Sequence, residues 1–185
     1  MDVVISFVAL LFLIPFFIFS SVAVKLSSPG PIFFLQDRVG RDGKRFRIIK
    51  FRTMYTDAEK AGPQLSKEGD PRITPIGRFM RKTRLDEFPQ FVNVLLGQMS
   101  LVGPRPERQF YIDQIVAIEP QYMHLTRVRP GITSWGQVKY GYAENVDQML
   151  QRMKFDLIYM KNRTLALDIK IMFYTVIIVF KAQGK

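Results

Sequence analysis

An uncharged apolar segment near the start of the chain constrains its fold more than any other feature. Residues 3–24 contain no charged side chain and only three polar ones, all serines. This length is close to the roughly 20 residues that a helix needs to cross a bilayer. A secretory signal peptide has a basic start and a small-residue cleavage site, whereas Met1 and Asp2 precede this segment and Lys25 follows it. The sequence therefore predicts a retained membrane anchor over residues 1–26.

Pro15 lies near the middle of the anchor. Proline removes one backbone hydrogen bond and clashes with the preceding turn, so we expect the helix to bend there. Two arrangements agree with such a bend: a kinked helix that spans the membrane, and a re-entrant hairpin whose halves return to the same side. The residues of the anchor alone leave both open.

Positive charge is concentrated directly after the anchor. The chain has 27 Lys and Arg residues against 16 Asp and Glu, and residues 25–84 hold fifteen basic and six acidic ones. Basic residues that flank a membrane segment place that flank in the cytoplasm, and they attract phospholipid headgroups and other anions. We therefore predict that residues 27–185 form a cytoplasmic domain at the membrane surface, with anionic partners.

The residue types exclude several kinds of chemistry. The chain has no cysteine and one histidine, His124, which rules out disulfides, cysteine nucleophiles, structural zinc sites and most histidine-dependent triads. Catalysis would have to use carboxylates, Lys, Arg, hydroxyls or a metal held by oxygen. Oxygen ligands suit Mg²⁺, which usually accompanies phosphates.

The pattern after the anchor predicts a small, mostly helical α+β domain. Residues 32–39 and 45–51 are predicted strands around an Asp-Gly turn, a strong hairpin signal. Residues 56–75 are polar and rich in Gly and Pro, and we expect a loop, or a short helix and a loop, that is long enough to cover a site.

A helix is predicted from about residue 85, because apolar residues follow at helical spacing. Pro89 fits only in its first turn, which makes Asp86 the N-cap. Free backbone N–H groups and the helix dipole would then keep Asp86 ionised beside Glu87. A purely structural role, with Asp86 as the cap and Glu87 as an acid of the first turn, would explain the presence of both residues without any catalytic function. The cations Arg78, Arg81, Lys82 and Arg84 come just before them.

Two further helices are predicted near the end of the chain. Residues 146–160 are amphipathic, and Asn145 and Gln148 are placed like a capping box. Residues 165–180 are too short for a second crossing, so we expect a helix that lies in the membrane interface or packs on the anchor. Arg105 and Arg129 each lie in a Pro/Gly turn, where a guanidinium suits phosphate oxygens but an ordinary connection would also fit.

Five motifs occur in a fixed order: Ser28-Pro29-Gly30-Pro31, Lys50-Phe51-Arg52-Thr53-Met54, Leu85-Asp86-Glu87-Phe88-Pro89-Gln90, Gly103-Pro104-Arg105-Pro106-Glu107 and Arg129-Pro130-Gly131-Ile132-Thr133. Together they closely resemble the bacterial sugar transferase family, the monotopic polyprenyl-phosphate phosphoglycosyl transferases. These bacterial inner-membrane enzymes initiate exopolysaccharide, O-antigen and glycan assembly. The resemblance covers essentially the whole chain.

The resemblance implies a reaction and the residues that perform it. A UDP-sugar would give its sugar 1-phosphate to undecaprenyl phosphate and release UMP, with Mg²⁺ as cofactor. Asp86 matches the nucleophile that forms a covalent phosphosugar intermediate, and Glu87 matches its partner; both would lie at the metal. Substrate and phosphate binding is expected at Lys50, Arg52, Arg81, Arg105 and Arg129.

The resemblance also implies that Pro15 bends the anchor into a re-entrant hairpin. The chain departs from the family pattern at Ile14, where many relatives have Ser, and at Gln98, where many have an acid, so we assign Gln98 no metal role. The usual basic residues before the anchor are missing too. On these grounds the chain is either a small member of the family or the catalytic portion of a larger one.

Two other function classes compete with the transferase. A catalytically silent membrane scaffold would need a degraded acidic pair, but Asp86 and Glu87 are both present. A nucleic-acid-binding protein is favoured only by charge, and no recognition motif appears, so we expect no nucleic-acid partner. The sequence does not decide the sugar, the pathway or the oligomeric state, a homo-oligomer included.

Overall fold

The computed structural model describes residues 1–60 and 62–181. Its helices are α1 (Asp2–Ser27), α2 (Pro75–Lys82), α3 (Gln90–Leu95), α4 (Gln109–Ile118), α5 (Trp135–Lys139), α6 (Val146–Lys161) and α7 (Leu165–Phe180). The strands are β1 (Phe33–Val39), β2 (Arg45–Phe51), β3 (Ser100–Val102) and β4 (Gly131–Thr133). Short 3-10 helices cover Arg41–Gly43, Leu85–Glu87 and Pro120–Arg127. The mixed helix and sheet content agrees with the predicted class.

The predicted hairpin is confirmed. Strands β1 and β2 pair antiparallel, from Phe33 opposite Phe51 to Val39 opposite Arg45. In the connection Asp42 has a φ of 56°, a left-handed conformation that Asp tolerates better than most residues. The loop after the hairpin is confirmed as well, and no helix or named strand is assigned to the described part of residues 56–74.

A second, parallel sheet was not predicted. Strand β3 pairs with β4, with Ser100 opposite Gly131 and Val102 opposite Thr133. The backbones of the two strand segments approach so closely that a Cβ on Gly131 would lie 2.2 Å from the backbone nitrogen of Gly103. Strands of three residues are too short to show an alternating pattern, so the sequence showed only their Pro/Gly turns.

The helix predicted from about residue 85 is present as α3 but begins later, and the assignment of Asp86 as its N-cap is wrong. Arg84 has a φ of 57°, and the 3-10 helix Leu85–Glu87 follows it as a separate turn. Helix α3 begins only at Gln90, after Pro89. The left-handed residue turns the chain ahead of the helix, so Asp86 lies within the short turn and does not cap α3.

Helix α1 continues through Pro15 as one helix rather than as two separate halves. It is the one described helix long and apolar enough to cross a membrane. Phe16 and Phe17 pack against a core cluster that includes Phe51. The rest of its surface exposes large apolar side chains, as a helix in lipid would: Val3, Val4, Ile5, Phe7, Val8, Leu11, Phe12, Ile14, Ile18, Phe19, Val22 and Leu26.

Both ends of α1 contact the remainder of the protein. Near its start, the Ser100 hydroxyl donates a hydrogen bond to the Asp2 carboxylate. At its end, the Arg52 guanidinium donates to the carbonyl oxygens of Val24, at 3.3 Å, and Ser28, at 2.6 Å. The anchor is therefore fixed to the domain at two points far apart in the sequence.

The two predicted C-terminal helices are confirmed. Asn145 caps α6 by accepting the Gln148 N–H at 2.9 Å, and the methionines of α6 pack with α4 in the largest core cluster. Helix α7 packs on α5, β3 and β4. It exposes an apolar stripe formed by Leu165, Ile169, Phe173, Val176 and Phe180. Placement of this stripe in the membrane interface stays a prediction.

Asp156 is a buried carboxyl that joins α6 to α5. The Gly136 N–H donates to its Oδ1 at 2.7 Å, and its side chain is only 3% exposed. Burial raises the pKa of Asp156 to about 6, although the Gly136 hydrogen bond and the charge of Arg152 oppose this rise. At neutral pH the fold therefore contains a charged group whose burial is costly.

Replacement of Asp156 by Asn tests this cost. Because the folded-state pKa lies above the ordinary value, the Asp156 carboxyl contributes most to stability at low pH, and its contribution is lost as the pH rises through about 6. We expect Asp156→Asn to gain stability relative to the native protein over that range, by up to about 3 kcal/mol. Thermal unfolding in detergent at a series of pH values measures it; a difference independent of pH contradicts the assignment.

Candidate active site

A cavity of about 490 Å³ opens between the β1–β2 hairpin, the loop after it and the turn Leu85–Glu87. It brings together both predicted acids and four of the five predicted cations: Asp86, Glu87, Lys50, Arg52, Arg81 and Arg105. Arg129 is outside this lining and is exposed in the turn before β4. Three chain segments, residues 50–52, residues 81–87 and the turn at Arg105, thus supply one charged site.

The local backbone explains why two neighbouring carboxylates are both buried. In an ordinary helix or strand, consecutive side chains point in different directions. Here the left-handed Arg84 is followed by a tight 3-10 turn, and Asp86 and Glu87 both line the cavity with exposures of 6% and 4%. The turn therefore supplies an adjacent acidic pair to one wall.

Glu87 is neutralised by three cations. Its Oε1 lies 2.8 Å from the Lys50 ammonium and 3.5 Å from Arg105, and its Oε2 lies 3.0 Å from Arg84. Burial alone would raise the pKa of Glu87, but these charges outweigh it and hold the pKa well below its usual range. Glu87 is thus a fixed anion whose two oxygens are already occupied.

Asp86 differs sharply from its neighbour. None of the described residues donates a hydrogen bond to its buried Oδ1. Burial raises the pKa of Asp86, the charge of Glu87 adds to this rise, and Lys50 and Arg81 oppose it. The backbone donors expected for an N-cap are absent from the described structure, so Asp86 offers an oxygen with free lone pairs inside a cationic cavity.

Tyr142 also lines the cavity, next to Arg84 and Arg105, and was missed by the sequence analysis. Its ring centroid lies 5.7 Å from the guanidinium carbon of Arg84 and 5.8 Å from that of Arg105. The ring face attracts both cations and so supports the two arginines that hold Glu87. No pattern marked Tyr142, because it follows Gly141 in an irregular segment and reaches the site only through the tertiary fold.

Arg52 has a different environment from the other lining cations. Besides Val24 and Ser28, its guanidinium donates to the carbonyl oxygen of Pro29 at 2.6 Å. These bonds stabilise the chain where it leaves the anchor. The structure therefore gives Arg52 a role in fixing the anchor next to the cavity, and its expected contact with phosphate stays a prediction.

A second charged cluster in the cavity lining was not revealed by the sequence, and Arg105, which lies 4.0 Å from Glu107, connects it to the Glu87 network. Glu107 pairs with Arg152 and, at 3.3 Å, with Arg38. Glu59, from the loop after the hairpin, pairs with Arg108 at 2.7 Å and accepts from the amide of Gln36 at 3.3 Å. The cluster combines Glu59 from the loop after the hairpin with charged groups from β1, the turn after β3 and α6.

Comparison with known proteins identifies the family. The family described as "Bacterial sugar transferase" matches residues 1–182. The chain belongs to the bacterial sugar transferase family. Over 176 residues, 95% of the chain, it is 45% identical to the UDP-N-acetylgalactosamine-undecaprenyl-phosphate N-acetylgalactosaminephosphotransferase of Aeromonas hydrophila.

Two further relatives in this family show the same similarity. Over 177 residues, 95% of the chain, it is 42% identical to the UDP-glucose:undecaprenyl-phosphate glucose-1-phosphate transferase of Escherichia coli K12. It is 38% identical over 185 residues, 95% of the chain, to the exopolysaccharide production protein PSS of Rhizobium leguminosarum bv. phaseoli. The chain spans 42% and 38% of the Aeromonas and Escherichia proteins and 91% of the Rhizobium protein.

The fit of a metal to this family member can be judged from its own residues. No cluster of three or more Asp, Glu, His or Cys side chains occurs in the described ranges. Mg²⁺ is commonly held by one or two carboxylates, with substrate phosphates and water as its other ligands. The free Oδ1 of Asp86 suits such a site, whereas Glu87 would first have to release a cation.

The neutralised Glu87 can be tested by Glu87→Gln. The amide keeps the shape but leaves Lys50, Arg84 and Arg105 without their anion, and breaking a buried ion pair from one side is strongly destabilising. We expect a loss of about 3 kcal/mol or more in the free energy of unfolding, measured by denaturant titration in detergent. The exposed Glu68 provides the control, because Glu68→Gln should change stability by less than about 0.5 kcal/mol. Equal effects of the two changes would refute the buried network.

Proposed function

We propose that this protein transfers a sugar 1-phosphate from a UDP-sugar to undecaprenyl phosphate, with release of UMP. The observation that carries the proposal is the Asp86 carboxylate, which is buried with a free oxygen among Lys50, Arg81 and Arg105. Phosphoryl transfer depends mainly on positioning and charge neutralisation, and this cavity offers both without a histidine or cysteine. The names of the Aeromonas and Escherichia relatives, both transferases that act with undecaprenyl phosphate, support the same reaction.

In the first step, an Asp86 oxygen attacks the phosphorus that carries the sugar. The bond from this phosphorus to the bridging oxygen breaks, and UMP leaves with the bonding electron pair. The product on the protein is an acyl phosphate between Asp86 and the sugar phosphate. Arg81 and Arg105 stabilise the charge on the phosphate oxygens, because guanidinium groups bind phosphate with paired hydrogen bonds.

In the second step, a phosphate oxygen of undecaprenyl phosphate attacks the same phosphorus. The acyl phosphate bond breaks and Asp86 leaves as a carboxylate, ready for another cycle. Burial supports both steps, because it keeps water away from the acyl phosphate and strengthens the attraction of the nearby cations. Glu87 holds Lys50 and Arg105 in place and does not itself attack, since both its oxygens are occupied.

Mg²⁺ is part of the proposal as cofactor. When bound, it would neutralise the negative charge that builds up on the diphosphate as UMP leaves. The Asp86 carboxylate would be the protein ligand that fits best, with Glu87 beside it.

Replacement of Asp86 by Asn tests the nucleophile directly. An amide cannot form the acyl phosphate, so we expect UMP release from a UDP-sugar, with Mg²⁺ and undecaprenyl phosphate present, to fall by about a thousandfold or more. Intact mass spectrometry without the lipid acceptor should show a phosphosugar adduct on native protein and none on Asp86→Asn. The exposed Asp113 provides the control, since Asp113→Asn should keep both signals. UMP release at the native rate from Asp86→Asn would refute the mechanism.

We further propose that α1 enters the bacterial inner membrane from the cytoplasm and returns to the same side. Two observations support this topology: the bond between Asp2 and Ser100 at one end of α1 and the Arg52 bonds at the other. Both ends of the anchor contact the domain that carries the basic residues, and such residues favour the cytoplasmic face. Pro15 is the residue that would allow the bend.

The topology can be measured with single cysteines, because the chain has none of its own. We expect Asp2→Cys to react with a membrane-impermeant thiol reagent in inside-out vesicles and to be protected in right-side-out ones. Lys154→Cys, on the exposed face of α6, serves as the reporter for the cytoplasmic domain. Labelling of the two positions from opposite sides would show a spanning helix and overturn the hairpin.

A further inference from the structure

An exposed aromatic mouth lies where the cavity meets the anchor exit, the residues 28–31 that follow α1. The first three residues of β1, Phe33, Phe34 and Leu35, are apolar and are 40%, 40% and 52% exposed. Phe33 and Phe34 line the cavity, as does Pro31 at the end of the anchor exit. Exposed apolar side chains that are contiguous and border a cavity mark a binding surface more often than scattered ones.

A chain of aromatic contacts joins this mouth to α1. The Phe33 ring stacks on that of Phe51 with centroids 5.3 Å apart, and Phe51 contacts Phe17 of the anchor at the same separation. Phe16 contacts Phe51 as well, at 6.4 Å, and also Phe88, which follows the turn Leu85–Glu87, at 5.3 Å. The mouth is therefore on the membrane side of the cavity and is continuous with the helix that would lie in lipid.

The hairpin register places an apolar group next to a cation. Phe34 lies directly opposite Lys50, so both side chains leave the same face of the hairpin. The Lys50 ammonium in turn lies 2.8 Å from Glu87, the neighbour of Asp86. Along this path, the order is thus aromatic ring, ammonium group and carboxylate pair.

The end of the cavity further along β1, beyond Phe34, has a different character. Gln36, Glu59 and Arg108 interact there through polar and charged groups, which suits a water-soluble, hydroxyl-rich ligand. The two ends therefore match the two substrates of the proposed reaction, one amphiphilic and one soluble.

We propose that Phe34 binds the isoprenoid chain of the acceptor lipid at the cavity mouth and directs its phosphate toward Lys50. This inference rests on the proposed function. An isoprenyl phosphate has a hydrocarbon tail joined to one anionic group. The mouth presents an apolar ring, Phe34, for the tail and a cation, Lys50, for the phosphate. The nucleotide sugar then occupies the polar end, and its diphosphate meets Asp86 between the two.

The effect of Phe34→Ala on the two steps tests this inference. Loss of the ring should raise the KM for undecaprenyl phosphate about tenfold, the equivalent of losing much of one aromatic contact with hydrocarbon. Formation of the phosphosugar adduct without acceptor should persist, and it shows in the same sample that the variant folds. The matched control is Leu35→Ala, since Leu35 is equally apolar and exposed but leaves the other face of β1; its KM should stay native.

Photocrosslinking identifies what occupies the mouth. The photoreactive residue p-benzoylphenylalanine is placed at position 34 or, as control, at position 35, and the protein is irradiated with undecaprenyl phosphate in phosphatidylglycerol vesicles. We expect undecaprenyl phosphate to attach at position 34 and not at position 35. Attachment of phosphatidylglycerol alone at position 34 would overturn the assignment.

The two proposals fail in different ways. If native protein releases UMP but Phe34→Ala keeps a native KM for the lipid, the inference is wrong and the transferase stands. If Phe34→Ala instead loses adduct formation and raises the KM for the UDP-sugar, the ring contacts the nucleotide, which also refutes the inference. If native protein releases no UMP with any UDP-sugar, the transferase is wrong, and crosslinking at position 34 still decides whether an isoprenyl phosphate binds.

Discussion

The neutralisation of one buried carboxylate organises this protein. Glu87 is 4% exposed, and an isolated charge at such depth would be too costly to keep. The compensating charge comes from Lys50 in the hairpin, Arg84 just before the turn Leu85–Glu87 and Arg105 in the turn after β3. Because these cations come from three separate segments, the ion pairs hold the segments together and shape the cavity at the same time.

The same arrangement separates the chemistry of the two acids. Glu87 receives the cations and stays charged, whereas the Oδ1 of Asp86 has no donor among the described residues. A polar atom left unpaired in a buried site usually has a reason. For the nucleophile proposed above the reason would be reactivity, since an oxygen that donates no electron pair to a hydrogen bond can attack phosphorus. The fold thus uses one carboxylate for structure and leaves its neighbour free.

Contact between the anchor and the domain is the second constraint. Arg52 follows directly after β2 and donates hydrogen bonds to the carbonyl oxygens at and just after the end of α1. Phe16 of the anchor contacts Phe88, which follows the turn Leu85–Glu87. The depth of the cavity relative to the lipid is therefore set by contacts and not by a flexible linker. The proposed reaction between a soluble nucleotide sugar and a lipid phosphate would require such a fixed depth.

Much of this protein could be predicted from sequence, and the misses share a cause. The anchor, the hairpin, α6 and α7 each follow from a local pattern: an apolar run, a turn signal or a helical period with its cap. The motif order predicted the family and named Asp86, Glu87, Lys50, Arg81 and Arg105, which the fold then brought into one cavity. The N-cap assigned to Asp86 failed, because the left-handed Arg84 starts a separate turn.

Sequence by itself determined the elements and the residue types of the site, because both depend on neighbours in the chain. Only the tertiary structure decided the short parallel sheet, the support of Arg84 and Arg105 by Tyr142, the use of Arg52 at the anchor and the placement of Phe34 beside Lys50. Each of these depends on a contact between distant segments. The energy of such a contact comes from burial and charge in three dimensions, which no local pattern contains.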